Sequence, residues 1–131
     1  MVRMEQVITL ILKRNNNNML DKINYIINKQ KCTIRFNWFY DPSFEVSKWG
    51  AYLNFPAEGY FEPQHIGPIK INQWKWLEIN PIEDIVIGRL VPNKKADHSK
   101  EIINYLNENN IPFLKGEKYI KIENTSFVAE I

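Results

Sequence analysis

The residues whose types could do chemistry are one cysteine, two histidines and a scatter of carboxylates. A nucleophilic cysteine needs a base within hydrogen-bond reach and a lowered pKa. Cys32 instead shares a period-two phase with Ile34 and Phe36, which assigns it to the core as an inert thiol. His65 follows Glu58 and Glu62, but a zinc site needs three or four ligands at recurring spacings, and no second histidine lies close in sequence. It reads as a loop residue, and His98 reads as the start of a helix. Paired carboxylates for acid–base work would be Glu78 with Glu83 or Asp84. Glu78 is the better candidate because it follows Trp76 on one strand face, yet an ion pair with Arg35 or Arg89 is the simpler assignment. The chain has no phosphate loop, dinucleotide fingerprint, nucleophile elbow or zinc-binding helix motif. No catalytic residue, metal or cofactor is expected.

The element that must position these groups is the stretch from Gly67 to Asn80. Pro68 opens it and Pro81 closes it, since proline is excluded from the middle of a ladder. Period two puts Ile69, Ile71, Leu77 and Ile79 on one face and Trp74 and Trp76 on the other. If helices cover the aliphatic face, the two rings require another cover or a partner. Tyrosine and tryptophan are common anchors of protein interfaces. The expected binding surface therefore comprises Trp74, Trp76 and Glu78, with Glu58, Glu62 and Tyr60 as its rim.

The flanking elements follow from the same patterns. Val2 to Arg14 is compatible with a helix or a strand, and Asn15 to Asn18 interrupts it, so residues 1–18 read as an arm. Asn18 is placed to cap a helix through Gln30 with Leu20, Ile23, Ile26 and Ile27 on one stripe. Cys32 to Tyr40 and Lys48 to Phe55 alternate as strands, with Thr33, Arg35 and Asn37 on the polar face of the first. Tyr60 to Ile66 reads as an irregular aromatic connection. The apolar cluster from Ile82 to Val91 is too short to type. A helix capped by Asp97 or Ser99 runs to about Asn109, Asn109–Asn110 suits its C-cap, and Pro112 blocks continuation. A hairpin closes around Lys115-Gly116-Glu117. The expected architecture is one α+β domain over residues 1–131: a mainly antiparallel sheet, as a meander plus a C-terminal hairpin, packed against two helices.

Composition narrows the partner. At 131 residues, 44% hydrophobic and 24% charged, the chain suits a single globular core. One cysteine permits no internal disulfide and points to a reducing, cytoplasmic setting. The first apolar run is too short to span a bilayer, so no membrane partner is expected. Residues 1–40 carry +5, residues 41–84 carry −4 and residues 85–131 carry +1, which sum to the net +2. An acidic middle that holds the aromatic strand is a poor nucleic-acid platform, which needs basic residues among its rings.

Several pieces occur in a recognisable order: Gly67-Pro68 leading to Trp76-Leu77-Glu78-Ile79, then Gly88-Arg89-Leu90-Val91. Glu101-Ile102-Ile103 through Asn110-Ile111-Pro112-Phe113 and Tyr119-Ile120-Lys121-Ile122 complete it. Over roughly Thr33 to Ile122 this order resembles the small bacterial proteins grouped as DUF6678. The resemblance implies a small bacterial α/β protein with no assigned activity, and it transfers no functional residue. From the residues themselves, the expectation is a non-catalytic binding protein of the toxin-immunity type that occludes a basic partner. Two alternatives stand beside it: a small enzyme centred on Glu78 or His65, and a nucleic-acid binder using the basic N-terminal arm with Lys13 and Arg14.

Overall fold

The computed structural model describes residues 19–38 and 46–125. The expected arm over residues 1–18, with Lys13, Arg14 and the Asn18 cap, lies outside the described residues. Nine strands and two helices follow in the order β1 (Thr33–Trp38), β2 (Leu53–Asn54), β3 (Tyr60–Pro63), β4 (Ile69–Lys70), β5 (Trp74–Asn80), β6 (Ile82–Ile85), β7 (Lys94–Asp97), α2 (Ser99–Glu108), β8 (Leu114–Lys115) and β9 (Ile120–Glu123) among the described residues. Helix α1 (residues 19–30) precedes β1. The strands form three antiparallel sheets, of order β1-β5-β9-β8, β2-β3-β4 and β6-β7. The fold is α+β.

One face of the four-stranded sheet is apolar and buried. Ile34 and Phe36 of β1, Leu77 and Ile79 of β5, and Ile120 and Ile122 of β9 lie there. They share a single core with Leu20, Ile23, Ile26 and Ile27 of α1 and with Ile102 and Leu106 of α2. The α1 residues recur at helical spacing, so one stripe of that helix is buried, as its sequence predicts. Both helices end in the same way. Lys31 and Asn110 adopt left-handed backbone (φ 53° and 56°). The amides of Cys32 and Ile111 then reach back to the carbonyls of Ile27 and Leu106 at 3.0 and 2.9 Å. This satisfies carbonyls that the last helical turn leaves orphaned. The predicted cap at Asn109–Asn110 is present. At the other end of α2 the N-cap is His98, and Asp97 accepts hydrogen bonds from the Ser99 amide and hydroxyl.

The strand order differs from the expected meander. β1 pairs directly with β5, from Thr33 opposite Asn80 to Trp38 opposite Trp74. The residues between them fold away into the small β2-β3-β4 sheet. Only Leu53–Asn54 of the expected second strand is a strand, and Gly50 makes a lone bridge to Ile34, with both hydrogen bonds at 2.8 Å. Ser47 bonds to Phe36 through both its amide and its hydroxyl, so this segment lines the outer edge of β1. A side chain at Gly50 would meet Gln64 Cβ at 3.1 Å and its carbonyl oxygen at 3.3 Å, so glycine permits this close crossing. Tyr60 to Pro63, expected as irregular, is strand β3. The untyped cluster after Pro81 is β6 and the turn that follows it.

Trp74 requires a correction. Period two places it with Trp76, but the ladder shifts register between Asn37 and Trp38: Trp76 faces Asn37, and Trp74 rather than Lys75 faces Trp38. The extra residue is a bulge, which turns Trp74 onto the covered side. There it is fully buried, packs edge-on against Phe36 with centroids 5.9 Å apart, and donates its indole N–H to the Ile71 carbonyl at 3.0 Å. Asn124 braces the bulge from β9's end, donating to the Trp74 carbonyl at 2.7 Å. Trp74 belongs to the core and not to a binding surface.

Candidate functional site

The six residues expected to form one surface fall on three parts of the fold. Trp74 is core. Trp76 and Glu78 lie on the open face of the four-stranded sheet. Glu58, Tyr60 and Glu62 belong to the β2-β3-β4 sheet and the turn before β3.

On the open face, cross-strand register brings Arg35 of β1 and Lys121 of β9 to either side of Glu78. Arg35 donates to one Glu78 oxygen through Nε at 2.9 Å and Nη2 at 2.8 Å. Its guanidinium also lies 4.4 Å from the centre of the Trp49 ring and 4.9 Å from that of Tyr119. These two rings are 4.9 Å apart. Lys121 places its ammonium 4.7 Å from the centre of the Trp76 ring. A flat guanidinium suits this position because it can stack on rings while its edge donates to a carboxylate.

The sequence singled out Arg35 as a partner for Glu78, and the structure pairs them. It did not find Trp49 and Tyr119, which lie outside the strands and far apart in the chain and meet only in the fold. Charge counted along the chain also misleads here. The acidic middle supplies Glu78 to this face, but flanking segments interleave Arg35 and Lys121 among the rings. With Glu123 opposite Trp76, the two cations and two carboxylates at these register positions balance.

The β2-β3-β4 sheet is organised differently. Leu53, Phe61 and Ile69 point into the core, so their neighbours point outward. Asn54 faces Glu62, and Tyr60 faces Lys70. Tyr52 stands at the other end of this outward face, where its carbonyl accepts from the Gln64 amide at 3.1 Å. Tyr52 is 40% exposed and Tyr60 39%. Glu58 is exposed on the turn before β3. Three of the expected residues are thus brought together here. Tyr52 is the member that the sequence reading missed, although its alternation with Leu53 was legible.

The groups considered for chemistry are dispersed. Cys32 is buried, its thiol bonds to the Gln30 carbonyl, and burial, followed by the nearby Glu83 and Asp97 charges, pushes its pKa up to about 11. Such a thiol is a poor nucleophile at neutral pH. Glu83 is engaged with His98 at 2.8 Å, and Glu78 with Arg35. His65 is exposed on the turn after β3 with φ 71°. Asp97 lies below the usual carboxylate range because Ser99 donates to it. An open cleft of about 510 Å³ between the β6-β7 hairpin and the β8-β9 turn is lined by Asp84, Lys95, Asp97, Lys118 and Tyr119, among others, but not by His65 or Glu78. Among the described residues no group of three or more His, Cys, Asp or Glu side chains is arranged to hold a metal.

Together these features define a small α+β protein with two helices and three antiparallel sheets among the described residues. The chain belongs to the family of unknown function DUF6678, whose model matches residues 52–124, more than half of the 131 residues. The matched segment holds the whole β2-β3-β4 sheet, whereas Arg35 and Trp49 lie before it. No curated protein and no solved structure matches the chain. Among the described residues no helix is long and apolar enough to cross a membrane.

Proposed function

We propose that this chain is a non-catalytic bacterial binding protein, of the toxin-immunity type, that engages a basic protein partner through the outward face of the β2-β3-β4 sheet. The observation that carries the reading is the pair of exposed tyrosines, Tyr52 and Tyr60, set on a rigid sheet with Glu62 between them and Glu58 alongside. Tyrosine offers a large, stiff contact area with a polar tip, so it anchors interfaces at small entropic cost. Carboxylates at the rim steer a cationic partner toward the anchors. The open face of the four-stranded sheet supports this surface less well as a site, because Glu78 is already paired with Arg35 and Lys121 lies over the Trp76 ring. The enzyme alternative is weaker, because Glu78 lies on the four-stranded sheet and His65 on the turn after β3, and neither lines the cleft of about 510 Å³.

The test is a binding titration between the purified chain and the product of the reading frame that neighbours its gene. Tyr60→Ala should raise the dissociation rate and weaken binding by about 2 kcal/mol. Glu58→Gln with Glu62→Gln should mainly slow association and flatten its salt dependence. Unchanged affinity in a Tyr52→Ala/Tyr60→Ala double variant would remove this face from the interface.

A further inference from the structure

The least explained surface of the molecule is the end of the β6-β7 hairpin. Its strands pair from Ile82 opposite Asp97 to Ile85 opposite Lys94, and residues 86–93 form the connecting turn. The base is fixed: the His98 amide donates to the Pro81 carbonyl at 2.9 Å, and the His98 ring meets Glu83 at 2.8 Å. The turn itself shows its apolar side chains to solvent. Val86 is 75% exposed, Ile87 58%, Leu90 98% and Val91 54%. Isolated exposed aliphatics are ordinary, but four in one short turn form a patch of the kind that marks a contact site.

Two further observations say what the contact is. Residues 86–94 carry Arg89 and Lys94 and no carboxylate, with Lys95 next in the chain. Packing this tip against the same tip of a second copy would bring like charges together, so charge selects an anionic surface. The exposed residues also come as neighbours in sequence, 86 with 87 and 90 with 91. All four side chains are more than half exposed, so this turn has no covered side of its own to seat against a partner and shows apolar groups around the tip. A pocket on a protein would cover one side, whereas lipid surrounds an inserted loop.

We propose that the β6-β7 tip is a peripheral membrane anchor that inserts Val86, Ile87, Leu90 and Val91 at the interface of an anionic bilayer, with Arg89, Lys94 and Lys95 at the phosphates. Insertion stops near the headgroup–acyl boundary, because the turn's backbone groups need water or polar partners. The absence of a spanning segment does not bear on such a contact. This surface is separate from the tyrosine face, and neither inference depends on the other.

The experiment is vesicle co-sedimentation of the full chain. Phosphatidylcholine vesicles are compared with vesicles in which phosphatidylglycerol replaces part of the phosphatidylcholine. Binding should be roughly tenfold stronger to the anionic vesicles and should fall as salt rises. Leu90→Asp should abolish it while leaving the thermal midpoint unchanged, since that side chain touches almost nothing of its own chain. Arg89→Ala with Lys94→Ala should erase the preference for anionic lipid, and Tyr60→Ala should bind vesicles like the parent. Equal recovery of the parent and Leu90→Asp from anionic vesicles would overturn the proposal. So would a chain that ignores vesicles but forms a Leu90-dependent complex with an acidic protein.

Discussion

The two faces of the four-stranded sheet use opposite means to hold one set of strands. On the covered face, Ile34, Phe36, Leu77, Ile79, Ile120 and Ile122 meet two helices through shape alone. On the open face, Arg35, Glu78, Lys121 and the rings of Trp49, Trp76 and Tyr119 meet through charge and ring stacking across strand boundaries. Apolar burial has no direction but tolerates little change of volume. The open-face network is directional, half-exposed and screened by water, so each of its links contributes less. The comparison teaches that aromatic and charged density on a sheet can be spent within the chain, as Arg35 is on Glu78, Trp49 and Tyr119.

Truncation on the two faces should therefore differ severalfold. Leu77→Ala on the covered face should destabilise by about 2–5 kcal/mol through lost transfer energy and the cavity left behind. Urea denaturation measures it, and a loss near that of an exposed site would reverse the assignment of faces. Arg35→Ala on the open face should lose about 1 kcal/mol, as two ring stacks and one ion pair disappear together. Arg35→Lys should recover only part of this, because an ammonium cannot lie flat against two rings. If lysine restored full stability, the guanidinium geometry would be irrelevant.

Cys32, which precedes β1 on the covered side, has an effect confined to alkaline pH. Native thiol titration at neutral pH should stay silent until denaturant is added. The folded thiol keeps its proton up to about pH 11, while the ordinary value is 9.0. Between these values the unfolded state releases a proton that the folded state retains. This contribution to stability is complete below about pH 9 and is lost as pH rises toward 11. Denaturation midpoints of the parent and Cys32→Ala across that window should converge toward high pH.

Features with a local cause were readable in the sequence. Leu77 and Ile79 are core because they alternate with Trp76 and Glu78 within β5, although Ile69 and Ile71, expected on the same strand, belong to β4 and the turn after it; α1 shows its stripe at helical spacing. Asn110 ends α2 because its backbone tolerates left-handed angles, and the last hairpin turns over Gly116 to Tyr119, just beyond the expected start at Lys115. What could not be read was set by distant partners. Nothing between Trp74 and Trp76 announces a bulge, which exists because β1 and Asn124 fix the strand there. The stacking of Trp49 with Tyr119 joins segments that only the fold brings near. Of the candidate surface, Glu58, Tyr60 and Glu62 lie on or beside β3, while Trp76 and Glu78 lie on β5 of the other sheet, a separation that only the fold reveals.

The pairing of β1 with β5 also governs when the molecule can form. Residue 33 waits for residue 80, and residue 79 waits for residue 120, before the central strand has both neighbours. Contacts of such long sequence separation demand loop closure before they return any stability. During synthesis β5 leaves the ribosome with one flank bare, and that flank stays open until β9 follows. A ribosome stalled between them would hold a half-built sheet with a live edge, ready to pair with a wrong strand.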